Sequence, residues 1–231
     1  FKPGTEIRDS MDFMDQEMTG TMDLRIRVEG DIKDPGILRK MDSLQVFVEK
    51  NKKIAVTYSI ADVVKQMHRT VMDDSLKYES IPQSREKVNN LFTMYSMSGD
   101  PEDFSAMIDY DYTVGLITAL STVMTTDEVF SFVVSISNYI TTYFNENLNI
   151  DVTGMIVVIR DMVILIIQSS SLSILFSLIL IGIIASIFFK RILWGFLAVI
   201  PLTAAVILNF GLMGHFNVSL NHITAILSAI I

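Results

Sequence analysis

Two long uncharged stretches constrain this chain more than anything else in it. Residues 172–189, LSILFSLILIGIIASIFF, and residues 192–213, ILWGFLAVIPLTAAVILNFGLM, supply 18 and 22 positions without a Lys, Arg, Asp or Glu. At ~1.5 Å rise per residue, each helix comes close to the ~30 Å of a bilayer's hydrocarbon core. The pattern predicts transmembrane helices at 169–189 and 192–213. Pro201 agrees with this, since membrane helices tolerate a proline whose freed carbonyl is satisfied by neighbouring groups. The alternative is a hairpin of hydrophobic helices buried in a globular domain.

Between the two stretches stand Lys190 and Arg191, the only charged residues after Asp161 in a chain with 18 basic and 26 acidic residues. Setting that pair aside leaves 16 basic against 26 acidic residues over positions 1–161, a net charge of −10. The overall hydrophobic fraction of 50% and mean hydropathy of +0.43 therefore average an acidic, water-compatible part with an apolar one. A short basic loop stays on the cytoplasmic side, and Phe188, Phe189 and Trp194 beside it suit the interfacial belt. Lys190 and Arg191 are thus topology determinants. They predict an integral protein of the cytoplasmic (inner) membrane with residues 1–168 on the extracytoplasmic face.

A third apolar run, ITAILSAII, follows GHFNVSLNH at 214–222 and reaches Ile231. Its nine residues cover only about 14 Å, so 219–231 reads as the start of a further span. Phe1 is not an initiator Met, and no basic and apolar leader precedes the acidic part. We therefore expect a fragment of a longer chain, continuing at both ends.

The acidic part parses as alternating strands and helices. Met22, Leu24, Ile26 and Val28 alternate with charged residues, which predicts a strand over 22–28. Asp34-Pro35 then reads as an N-cap with proline at the first helical position, followed by Ile37, Met41, Leu44 and Val48 at helical spacing. A second strand is predicted over 54–60, with Ile54, Val56, Tyr58 and Ile60 on one side. The order repeats in a β-rich stretch at 110–124, a Thr125/Glu128 capping box and a helical stripe of Val129, Val133, Ile136, Ile140 and Tyr143. Alternation returns at 148–152. Between the halves lie helical segments over 62–72 and 84–97 and a short one opened by Asp100-Pro101. Two βαβ-type units with a helical insertion predict a ferredoxin-like, split βαβ plan.

Catalytic chemistry is hard to place. With no Cys and only His68, His215 and His222, there is no convincing nucleophile or metal set, and His215 and His222 read as loop or interface residues. Asp109 and Asp111 in DYDY read as capping or solvated carboxylates. The sequon at Asn217 lies too near the membrane to weigh. No Gly-rich phosphate loop appears, and the acidic balance disfavours nucleic acid. Arg160 and Asp161 are sequence neighbours and so point to different sides of a helix; residues 155–168 are expected to form a connecting helix at the outer surface. Of the 14 methionines, Met11, Met14 and Met18 in a first helix and Met94, Met97 and Met107 in the insertion are expected mainly as core fillers, with an adaptable binding surface as the alternative.

The segments SIADVVKQMH, IPQSREKVNNLFTMYSMSGDPEDFSAMIDYDYT and NIDVTGM, taken in order, resemble the porter domain of the resistance-nodulation-cell division (RND) permeases, in the MMPL-like hydrophobe/amphiphile efflux branch. The resemblance covers most of residues 1–231 and rests on the ordered set rather than on one motif. It implies an α+β extracytoplasmic porter domain of ferredoxin-like βαβ units with a helical insertion over 1–154, followed by α-helical transmembrane spans. The implied function is a proton-driven exporter of lipids or other amphiphiles, without enzymatic activity or cofactor. Its partners would be the lipid bilayer, a hydrophobic or amphiphilic substrate and the remaining half of the same transporter, with homo-oligomers left open. The family's proton-accepting acidic motif would fall on the fourth span, after Ile231. A sterol-sensing or Patched-like module that binds lipid without pumping is the rival reading, and a protein-translocation motor is a weaker third.

Overall fold

A computed structural model describes residues 4–144 and 148–215, and the chain divides into two compact units at Arg160/Asp161. The predicted span start at 219–231, His222 and Asn217 lie outside the described residues.

The first unit is an α+β fold on a four-stranded antiparallel sheet. Its elements are α1 (Glu6–Glu17), β1 (Met22–Glu29), α2 (Pro35–Glu49), β2 (Ile54–Ser59), α3 (Ile60–Val71), α4 (Arg85–Ser98), β3 (Val114–Ser121), α5 (Thr126–Tyr143) and β4 (Ile150–Thr153). Strand order is β2-β3-β1-β4, and each neighbouring pair is antiparallel. Strands β1 and β2 therefore run parallel with β3 between them, which is the split βαβ arrangement. Long pairing registers hold the centre: Met22 to Glu29 pair with Ser121 to Val114 without a break.

Period-two patterning decides which face is covered. Leu24, Ile26 and Val28 of β1 and Ile117 and Ala119 of β3 are buried, beneath Leu38, Met41, Leu44 and Val48 of α2 and Val129, Val133 and Ile136 of α5. The opposite face carries Asp23, Arg25, Arg27 and Asp151, joined by the Arg25–Asp23 pair at 2.8 Å and the Arg27–Asp151 pair at 3.1 Å. One covered and one polar face is the usual economy of antiparallel sheets. Helix starts follow the expected caps: Asp34 accepts from Gly36 N at 2.9 Å, and Thr125 and Glu128 exchange bonds across α5's first turn.

Several expectations need correction. The strand predicted over 54–60 is broken by a bulge between Ile54 and Val56; Val56 is 36% exposed, and Ile60 opens α3 instead. The β-rich stretch at 110–124 narrows to Val114–Ser121, because residues 109–113 turn around the Asp109 carboxylate. Tyr143 leaves the α5 stripe and is 67% exposed. The methionines expected in the core include Met14, Met18, Met94 and Met97, all of them exposed. Core filling falls instead to Met22, Met41 and Met124.

The second unit is helical. Helix α6 (Met155–Phe188) is uninterrupted, so the predicted connecting helix and first span form a single element, and α7 (Ile192–His215) follows after a tight turn. His215, expected as a loop or interface residue, is the last residue of α7. The start of α6 is set by Gly154 at φ +103°, where a Cβ would come within 2.7 Å of the Asp23 carbonyl, and by Asp23, which accepts from Met155 N at 3.1 Å. Both α6 and α7 are long and apolar enough to cross a membrane. A buried hairpin would need its apolar side chains covered, yet none of the most apolar window of α6 is buried by the described chain and only 6% of that of α7 is.

Candidate functional site

The first unit has, among its described residues, a groove between α3 and α4 suited to an apolar guest. Along α3 the positions Val63, Gln66, Met67, Thr70 and Val71 recur at the three- and four-residue spacing of a single helix face and form one wall. Met94 and Tyr95 of α4 form the other, and Phe104 adds to the lining. The volume is about 510 Å³, within the ~300–1,000 Å³ usual for small-molecule sites. Val71 and Met94 stand 47% and 51% exposed at its rim. Flexible thioethers and an aromatic floor make an apolar surface that can re-pack around different guests.

Each wall is fixed from behind. Helix α3 starts with a capping box in which Ser59 and Asp62 satisfy one another's backbone groups. The Ser59 hydroxyl, fully buried, also donates to Gln45 Oε1 of α2 at 2.8 Å, while Gln45 Nε2 donates to Asp62 Oδ2 at 2.6 Å. Lys65 completes the connection with Asp42 at 2.6 Å and Asp62 at 2.9 Å. Burial opposes the charge on Lys65, but its two carboxylate partners outweigh that and raise its pKa. Helix α4 begins at the Ser84 N-cap and buries Val88, Leu91 and Phe92. Phe92 meets Phe104 and Tyr112 edge-on, and Tyr95 tilts against Phe104 at 4.5 Å between ring centres.

The electrostatics of the groove are one-sided. Among the described residues, no Lys or Arg lines it. The cations of α3 are engaged elsewhere: Lys65 as above, and Arg69 with Asp74 at 2.8 Å and Glu79 at 3.2 Å. The Tyr95 hydroxyl donates to Asp103, and that bond, together with burial and the charges of Asp103 and Asp100, raises the tyrosine pKa.

In the second unit, α6 and α7 meet at glycine. A Cβ on Gly195 would fall 1.8 Å from Ser186 Oγ and 2.4 Å from the Gly182 carbonyl oxygen. Helix α6 ends in a Schellman motif, with Arg191 N donating to Ser186 O and Lys190 N to Ile187 O. Lys190 occupies the left-handed position at φ 53°, where glycine is usual. Lys190 and Arg191 thus sit in the turn between α6 and α7, with Phe189 tilted against Trp194 at 6.1 Å between ring centres.

The remaining sequence candidates are dispersed. His68 lies on α3, its Nδ1 2.7 Å from the Ser80 carbonyl oxygen. Asp109 accepts from Thr113 N, Thr113 Oγ1 and Val114 N, while Asp111 is exposed. Arg160 and Asp161 follow one another on α6 at the boundary of the two units. Among the described residues, no group of three or more His, Cys, Asp or Glu is placed to hold a metal ion. Sequence reasoning missed the Gln45–Ser59–Asp62 network and the α3 stripe. The S-x-x-D signal at 59–62 and the 63/66/67/70/71 spacing were there to be read.

Compared with known protein families and with curated proteins, the chain matches none. What fold and site define is an α+β domain bearing an apolar groove, in one chain with two helices long and apolar enough to span a membrane.

Proposed function

We propose that this chain is part of a proton-driven exporter of lipids or other amphiphilic molecules of the RND type, MMPL-like branch, with the first unit as its extracytoplasmic porter domain and α6 and α7 as membrane spans. The observation that carries this reading is the groove between α3 and α4, an apolar site of small-molecule size with Met94 and Val71 exposed at its rim. It is supported by the split βαβ sheet and by outward-facing apolar helices with Lys190 and Arg191 in their short turn. Between Asp161 and Ile231 there is no Asp or Glu. The titratable carboxylate that proton coupling needs within the membrane belongs, on this reading, to the span after Ile231. The rival reading, a sterol-sensing or Patched-like module that binds lipid without pumping, needs no such carboxylate.

The test is transport by the full-length protein in proteoliposomes. Efflux of a fluorescent amphiphile should require a proton gradient and fall at least several-fold when Val71 or Met94 is changed to Arg. Groove binding without gradient-dependent efflux would instead establish the sensor reading. Orientation is tested separately. The chain has no Cys, so single cysteines placed at exposed Tyr110 and at Lys190 should react with a membrane-impermeant maleimide from opposite sides.

A further inference from the structure

We infer that the α3/α4 groove selects amphiphiles by headgroup charge, admitting a cationic head beside Tyr95 and disfavouring an anionic one. The inference rests on the reading of the groove as an amphiphile site and names the class of guest it takes. Four observations converge on it. Among the described residues, the groove's lining is apolar apart from Gln66, Thr70 and the Tyr95 hydroxyl, with no cation that could hold a phosphate, sulfate or carboxylate. An acid adjoins it at Tyr95: Asp103, outside the lining itself, accepts from the Tyr95 hydroxyl. The Tyr95 and Phe104 rings, 4.5 Å apart between centres, both line the groove, and an aromatic face attracts an ammonium group and not an anion. The surrounding part of the chain has a net charge of −10 over residues 1–161, which raises the local concentration of cationic guests and lowers that of anionic ones.

The occupant this fits has an apolar tail along Val63, Met67 and Met94 and an ammonium group at Tyr95. An exposed charge interaction changes affinity by a few-fold, so attraction of one head and repulsion of the other should separate the two by about tenfold at low salt. The preference should shrink as salt screens it.

The experiment uses the full chain in phosphatidylcholine nanodiscs and two photoactivatable dodecyl probes identical except for a trimethylammonium or a sulfonate head. Labelling of peptides containing Val71 and Met94 is quantified by mass spectrometry and normalised to labelling of 172–189, which corrects for partition into lipid. The expected result is about tenfold higher normalised labelling by the ammonium probe, reduced about threefold in Asp103→Asn and weakened by added salt. Tyr95→Phe, which keeps the carboxylate, should retain the preference. If Asp103→Asn does not fold, the salt dependence of the unaltered chain decides. Equal labelling by both heads, or a preference for sulfonate, overturns the headgroup assignment while leaving the exporter reading standing. An unlabelled groove with either probe overturns the inference, and gradient-dependent efflux still judges the exporter reading by itself.

Discussion

Replacing Ser59 by Ala should loosen α3, one wall of the groove, more than the loss of one hydroxyl suggests. The Ser59 side chain is fully buried, accepts from Ala61 N at 3.2 Å and donates to Gln45 Oε1 at 2.8 Å. Losing an N-cap costs ~1 kcal/mol, and stranding a buried amide oxygen adds ~1–3 kcal/mol. Overlap between the two effects brings the expected total to about 2–3 kcal/mol. Hydrogen exchange of the α3 amides, read by mass spectrometry, should accelerate by roughly 30- to 150-fold, with β1 and β3 little changed. A second change separates the network from a general weakening. Gln45→Leu alone leaves Asp62 without its side-chain amide donor, whereas the Ser59→Ala/Gln45→Leu pair removes donor and acceptor together. The double variant should therefore be clearly less damaged than the sum of the singles. Additive losses, or unchanged α3 exchange in Ser59→Ala, would refute the reasoning.

Three further outcomes are expected. Gly195→Leu must push α6 and α7 apart, since even a methyl group would meet Gly182's carbonyl oxygen at 2.4 Å; a cost of ~1–3 kcal/mol and a longer distance between spin labels at positions 179 and 200 should follow, and an unchanged distance would contradict the close crossing. Lys190→Gly should relieve the left-handed backbone at φ 53° and raise thermal stability in detergent by ~1 kcal/mol, while Lys190→Ala should not. Burial works against ionisation of Asp109, but its bonds from Thr113 and Val114 prevail and hold its pKa below the ordinary carboxylate value. A lowered folded-state pKa contributes stability above the unfolded value, and that contribution is lost as pH falls through the folded one. The 109–113 turn should accordingly exchange faster only as the pH drops below about 4, and Asp109→Asn should remove that part of the acid response.

Patterns with a local cause were legible before any coordinates. Strand β1 and helix α2 follow the alternation and spacing of their apolar residues, and α5 starts at Thr125 because a capping box depends on residues three apart. The two apolar helices and the turn at Lys190 and Arg191 were equally plain, because bilayer thickness sets a length that can be counted. Elements decided by remote partners were harder to read. The alternation of residues 54–60 promised a longer strand, but the bulge at Ile54/Val56 and the buried demand of Gln45 for Ser59 turn the chain into α3 one residue earlier.

The candidate site divides the same way. By itself the sequence determined an acidic α+β part and two helices able to cross a membrane, since hydropathy, period and capping act over a few neighbouring residues. Only the tertiary structure decided that Val71 and Met94 would share a groove, that Asp103 would meet the Tyr95 hydroxyl, and that Gly182 and Gly195 would meet at a helix crossing. Such contacts depend on how whole elements pack, and a methionine at helical spacing has the same pattern whether the face it sits on is covered or left open to a guest.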